Sequence, residues 1–216
     1  MKKEFLAHGF YIIFFVAFLN LSGCVNNSRN VNDANLAGIT IAQQVCASCH
    51  GMTGESISPM FPKLAGQSRE YLSAQLIDFK GHERSDLRGA QYMWGFTHLT
   101  PKQVDELAGY FSSQAPMYAK RAHTELLARG ESVFRNGIAQ SGVVQCVACH
   151  GKSGEGNGAF PRLAGQHAQY VMEQIKVFKE TERRPRGAAM KQITHDLTEA
   201  DMAAVSYYIE SIGASQ

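Results

Sequence analysis

Two pentapeptides, Cys46-Ala-Ser-Cys49-His50 and Cys146-Val-Ala-Cys149-His150, carry the residue types of a covalent haem site at its required spacing. Two intervening residues let both thiols add to the vinyl groups on one porphyrin edge as thioethers. The next residue then projects beneath the ring, where its imidazole binds iron. A glycine follows each motif. Four cysteines in two pairs could also hold zinc, but zinc does not explain a histidine directly after each pair. A thioredoxin-like pair would sit in a βαβ context, which is absent. The motifs therefore predict two covalently bound haem c groups.

The second axial ligand is sought among the methionines. Met93 follows His50 by 43 residues and Met190 follows His150 by 40. Both precede the last helix of their half, in what reads as an irregular loop. A thioether is a soft ligand that favours Fe(II), so Met/His ligation raises the reduction potential relative to two histidines. Packing is the competing role, since methionine fills irregular gaps well. Met172 and Met202 fall in predicted helices, Met117 in the seam between halves, Met52 too near the motif, and Met60 opposite an alanine of the repeat. His98 and His195 are alternative ligands or surface residues ahead of a helix cap. His82, His123 and His167 have no repeat partner and read as surface residues. Arg88 and Arg186 occupy matched positions, where they neutralise a haem propionate or are solvated. Arg183 and Arg184 lack a matching pair and read as surface charge or part of a docking patch. Trp94 packs on the haem edge or in the core.

The elements that must position these residues come in two copies. Phe61-Pro62-Lys63-Leu64-Ala65-Gly66-Gln67 matches Phe160-Pro161-Arg162-Leu163-Ala164-Gly165-Gln166. Tyr71, Gln75 and Phe79 match Tyr170, Gln174 and Phe178. Arg88-Gly89 matches Arg186-Gly187, Met93 matches Met190, and Leu99-Thr100 matches Leu197-Thr198. In each half a helix leads into the haem motif, near Leu36 to Val45 and near Glu125 to Phe134. A second helix follows the Leu-Ala-Gly-Gln segment, with Leu72, Leu76 and Phe79, or Val171, Ile175 and Phe178, on its apolar face. The last helix begins at Thr100-Pro101-Lys102-Gln103, a capping box with proline in the first turn, and at Thr198-Glu199-Ala200-Asp201 in the second half. No run alternates like a strand, so the fold is all-α.

The chain has 216 residues, room for one large or two small domains. Phe10 to Leu19 is an apolar run behind Lys2 and Lys3, short for a membrane span and suited to a signal peptide. It ends in Leu21-Ser22-Gly23-Cys24, a lipobox-like sequence in which the cysteine carries lipid after cleavage. The alternative is an ordinary cleavable signal. The expected layout is a signal peptide over residues 1–23, a lipidated cysteine and polar tether over 24–35, a first domain over 36–114, a linker over 115–124 and a second domain over 125–216. Outside the signal the chain carries 19 basic and 18 acidic side chains, and no basic face suggests nucleic acid. With four cysteines in haem motifs and the fifth at Cys24, none is left for a disulfide.

Together the paired Cys-x-x-Cys-His-Gly motifs, the repeated Phe-Pro-x-Leu-Ala-Gly-Gln segment and the Arg-Gly to Met to Leu-Thr runs resemble the dihaem cytochromes c of the cytochrome c4 type, over about residues 36–213. The resemblance implies two tandem class I cytochrome c domains related by an approximate two-fold axis, with haem edges approaching through their propionates. It implies an electron carrier rather than an enzyme, taking no small-molecule substrate. Its partners would be redox proteins: a quinol-oxidising complex, a terminal oxidase or a periplasmic reductase. The lipobox departs from the usual members and implies a carrier tethered to the periplasmic side of a bacterial membrane. The alternative is a subunit of a dihaem enzyme complex, a peroxidase or one that oxidises sulfur compounds, which needs an iron site that opens.

Overall fold

The structure is a computed structural model that describes residues 31–120 and 124–214. The signal-like segment, Cys24 and His123 lie outside the described residues. No helix among the described residues is long and apolar enough to cross a membrane.

The first half opens with α1 (Gly38–Ile41), which continues through a π-helical stretch, Ala42–Cys46, into α2 (Ala47–His50). Next comes α3 (Arg69–Lys80), whose N-cap Ser68 hydroxyl accepts from the Tyr71 N–H at 3.3 Å. Then α4 (Leu87–Met93) is capped by Asp86. The half closes with α5 (Pro101–Ser112), where the expected capping box forms: Gln103 N donates to Thr100 Oγ1 at 3.2 Å and Thr100 N to Gln103 Oε1 at 2.9 Å. The second half repeats the order with α6 (Thr124–Asn136), α7 (Val147–His150), α8 (Ala168–Glu180), α9 (Ala188–Thr194) and α10 (Glu199–Ser211), the last capped by Thr198. Among the described residues there are isolated β-bridges but no strand, and the fold is all-α.

Each half has its own core. Ile41, Leu72, Leu99, Val104, Leu107 and Phe111 build the first. Val133, Phe134, Val171, Ile175, Met202, Val205 and Ile209 build the second. The helical stripes therefore bury as their spacing requires, with Leu76 and Phe178 at the half-buried margin. In both halves the first helix crosses the last at a glycine. A Cβ on Gly38 would lie 2.4 Å from Glu106 Cβ, and one on Gly130 would lie 2.1 Å from the Ala204 carbonyl oxygen.

The described end of the tether and the seam between the halves are both held in place. Val31 packs on the first core, and Gln103 Nε2 donates to the carbonyls of Asp33 and Leu36 at 2.9 and 3.0 Å. Between the halves Met117 is fully buried. Ala214 N donates to Met117 O at 2.8 Å, Ala119 N to Ala214 O at 2.8 Å, and Lys120 N to Glu210 O at 3.0 Å. Backbone groups in the seam are thus satisfied by the end of the chain rather than by water.

Candidate haem sites

The two pentapeptides end in the same geometry. Both histidines are buried, and His50 Nδ1 lies 2.8 Å from the Pro62 carbonyl oxygen while His150 Nδ1 lies 2.9 Å from that of Pro161. A carbonyl only accepts, so each Nδ1 carries the proton and each Nε2 keeps its lone pair. Burial pushes both imidazoles below the ordinary histidine range, partly offset by that hydrogen bond, so they are neutral near pH 7. A neutral imidazole with a free Nε2 is the form that binds a metal. After each histidine the chain turns through a glycine with φ of 80° at Gly51 and 84° at Gly151, a conformation glycine adopts without steric cost. Phe61 and Phe160 stand edge-on to the two imidazoles, with centroids 6.2 and 6.4 Å away.

All four motif cysteines are free and half-buried. Burial pushes the Cys46 thiol up to about 12 and the Cys146 thiol to about 11. These are poor settings for a thiolate and unobjectionable ones for an uncharged thioether. Among the described residues no group of three or more His, Cys, Asp or Glu side chains gathers as a metal site, which tells against zinc.

Met93 and Met190 are both half-buried, but they sit on short helices rather than in loops: Met93 ends α4 and Met190 is the third residue of α9. Asp86 caps α4, and Gly187 leads into α9 from a 3-10 turn, so the segments are ordered where an irregular loop was expected. The other methionines are placed differently. Met117 and Met202 are sealed in the interior, Met172 packs on the second core, and Met52 and Met60 are exposed. His98 and His195 are exposed, and His195 engages the Gln192 carbonyl and Asp196. Trp94 donates its indole N–H to the Arg84 carbonyl at 2.9 Å and stacks on His82.

His167 corrects the surface reading. It is buried between the domains, its Nε2 2.8 Å from the Ser56 carbonyl oxygen and its Nδ1 3.6 Å from Glu210. The position that matches it in the first half is Ser68, a helix cap, and carries no sign of burial.

Arg184 is the second correction. It is buried, and it pairs with Arg84 rather than standing alone. One extra residue before Arg184 and two fewer after it shift the repeat locally and hide the match. Arg84 donates to Gln75 at 2.8 Å and to Tyr170 and Gln174 of the other domain at 3.3 Å. Arg184 donates to Gln174, and across the interface to Tyr71 at 3.1 Å and Gln75 at 3.0 Å. Each guanidinium lies over a repeat-matched ring, Phe79 or Phe178. Arg84 has a carboxylate partner, Asp86 at 2.8 Å. Burial would raise that carboxyl, but the charges of Arg84 and Arg184 outweigh it and hold Asp86 below the usual range. Arg88 and Arg186 are instead taken up by ion pairs that span the domains, to Glu173 at 2.7 Å and Asp78 at 3.0 Å.

The residues present fit two haem c groups. Each half offers paired thiols, an imidazole with its Nε2 free and a half-buried thioether. The interface adds two buried guanidiniums and two tyrosine hydroxyls, a donor set suited to carboxylates such as haem propionates.

The comparisons with known proteins agree with this geometry. The cytochrome c family model matches residues 36–115 and 127–213. A cytochrome c4 of Azotobacter vinelandii is 39% identical over 193 residues, covering 83% of this chain and 91% of its own. The crystal structure of reduced cytochrome c4 from Pseudomonas stutzeri superposes with a TM-score of 0.73 at 34% identity, covering 83% of this chain and 98% of its own. A thiosulfate dehydrogenase electron acceptor of Stutzerimonas stutzeri is 31% identical, covering 83% of this chain and 84% of its own.

Proposed function

The chain belongs to the cytochrome c4 family of dihaem electron-transfer cytochromes c, and from that premise we propose that it is a lipid-tethered carrier with both irons closed. Haem, when bound, supplies a one-electron Fe(III)/Fe(II) couple. Cys46, Cys49, Cys146 and Cys149 hold the two groups by thioethers. His50 and Met93 would hold the iron in the first domain, and His150 and Met190 in the second. The observation that supports this reading is the matched Nδ1 contact to a proline carbonyl, which leaves Nε2 of each histidine as the atom that would bind iron. With each iron held by one histidine and one methionine there would be no place for substrate, and the fold's task would be to set the potentials and exclude water.

The tether would be a lipid on Cys24, on the periplasmic side of a bacterial membrane. The partners would be a quinol-oxidising donor and a terminal oxidase or periplasmic reductase, met through small, weak interfaces. A second reading is supported by the relative named as an electron acceptor of thiosulfate dehydrogenase: this chain would then take electrons from an enzyme of sulfur-compound oxidation.

The oxidised protein should show a methionine–iron charge-transfer band in the far red. Met93→Ala and Met190→Ala should each remove about half of it. Rapid cyanide or carbon monoxide binding by the unmodified protein would overturn the closed reading. Cys24→Ser should release the protein from the membrane fraction, and its retention there would defeat the anchor. Reduction by thiosulfate dehydrogenase, set against oxidation by a terminal oxidase, separates the two partner readings.

A further inference from the structure

We propose that Gln166 and Gln67 are crossed positioning residues: each tunes, through a peptide group of the opposite domain, the axial histidine of the haem that it does not itself accompany. The inference rests on His50 and His150 as iron ligands.

The contact pattern is reciprocal. Gln166 Oε1 accepts from Lys63 N at 2.9 Å, and its Nε2 donates to Lys63 O at 2.9 Å. In the mirror arrangement Gln67 Oε1 accepts from Arg162 N at 2.6 Å, and its Nε2 donates to Arg162 O at 2.9 Å. Each side-chain amide thereby grips one residue of the other domain by both backbone groups. The gripped residue directly follows the proline that holds the histidine. Lys63 N and Pro62 O belong to the same peptide group, as do Arg162 N and Pro161 O.

One unbroken chain of hydrogen bonds results. It runs from Gln166 Oε1 through the Pro62–Lys63 peptide to His50 Nδ1, and from Gln67 Oε1 through the Pro161–Arg162 peptide to His150 Nδ1. Accepting a hydrogen bond from the N–H end of a peptide polarises it and makes its carbonyl a stronger acceptor. A stronger acceptor draws harder on the Nδ1 proton and leaves more electron density on Nε2. That makes the imidazole a better donor to iron and favours the ferric state. Gln67, Gln166 and Lys63 are all at least nine-tenths buried, so these bonds sit where water does not readily replace them. The opposite domain thus contributes to each potential without touching the haem's own ligands.

The test uses the holoprotein with Gln166→Leu, Gln67→Leu, and the longer apolar variants Gln166→Met and Gln67→Met in case leucine packs poorly. Redox titrations would be followed by NMR of the haem methyl signals, which resolve the two haems. Loss of Gln166 should raise the midpoint of the haem on Cys46 and Cys49, with a shift at least twice that at the other haem. Loss of Gln67 should do the reverse. The two variants control for each other, because each removes the same contact from the same interface. If both midpoints move alike in either variant, if the haem of the mutated domain moves more, or if neither moves, the proposal is overturned. The far-red methionine band keeps the underlying reading separate. Its absence from the unmodified protein defeats the methionine ligation in the proposed function. Absence of hyperfine-shifted histidine ring signals in the same NMR spectra defeats the histidine ligation on which the inference rests. Retention of both with uncrossed shifts defeats the positioning role alone.

Discussion

In the first domain the helix that crosses α5 at Gly38 runs on into the haem motif, and Cys46 lies eight positions after that glycine. In the second, Cys146 lies sixteen positions after Gly130. The extra residues form a turn in which Ile138 and Val143 bridge, and Val143 is buried in the second core. The first domain absorbs its shorter route by widening the helix into a π-helical stretch over Ala42–Cys46. Past the cysteines the difference vanishes: His50 and His150, their proline carbonyls and the glycines after them superimpose in role and in distance. Variation is tolerated in how the chain reaches the motif. It is not seen where the histidine is fixed.

That contrast yields predictions of falling size. Gly130→Ala should have the largest effect, a loss of about 3 kcal/mol, since the added methyl meets the rigid Ala204 carbonyl. On helix propensity alone the change would stabilise by about 1 kcal/mol, so the sign is diagnostic. Gly38→Ala should cost somewhat less, about 2 kcal/mol, because the added methyl meets Glu106 Cβ at 2.4 Å, against 2.1 Å at Gly130, although that Cβ is fixed to the α5 backbone. Guanidinium denaturation of the holoprotein measures both. Val143→Ala removes buried methyls that the shorter route of the first domain has no need of, and should cost about 2 kcal/mol in the same assay.

Acid separates the domains next. In Asp201 burial would raise the carboxyl, but hydrogen bonds from Thr198 and Arg129 and the charge of Arg129 hold it below the usual range. A carboxyl depressed in the folded state stabilises fully above about pH 4, and that stability is lost as pH falls through the folded pKa. Asp201→Asn should therefore lower stability at pH 7 and flatten the acid limb. Denaturation midpoints between about pH 2 and pH 6 would show it. The smallest effect belongs to the ion pair of Arg69 and Asp105, both exposed, where Arg69→Ala should change stability by no more than about 0.5 kcal/mol.

Features that depend on neighbours in sequence were legible. The haem motifs, the repeat, the apolar faces of α3, α5, α8 and α10 and the Thr100 capping box all follow from spacing within one segment. Features made by one domain pressing on the other were not. Gln67 and Gln166 stood out as a repeated pair, but nothing in a single half says that each grips the other half. His167 has the composition of a surface residue and is buried only by that contact. The match of Arg84 to Arg184 is hidden because small shifts in repeat offset on either side of Arg184 break the register. Met93 and Met190 lie on short helices where the sequence reads as irregular loop. Seven residues are too few for a hydrophobic period to declare itself.

The seam fastened by Ala214 and Glu210 bears on how electrons move inside the molecule. Two globes on a loose strand would exchange an electron only when tumbling brought them together, and a thicker solvent would slow them. Here the strand is pinned, and the interface is crossed by reciprocal amide grips and ion pairs. Exchange between the two proposed haems would then cross a gap of constant width. Its rate should be the same in buffer and in glycerol, while encounters with outside partners slow in proportion to viscosity.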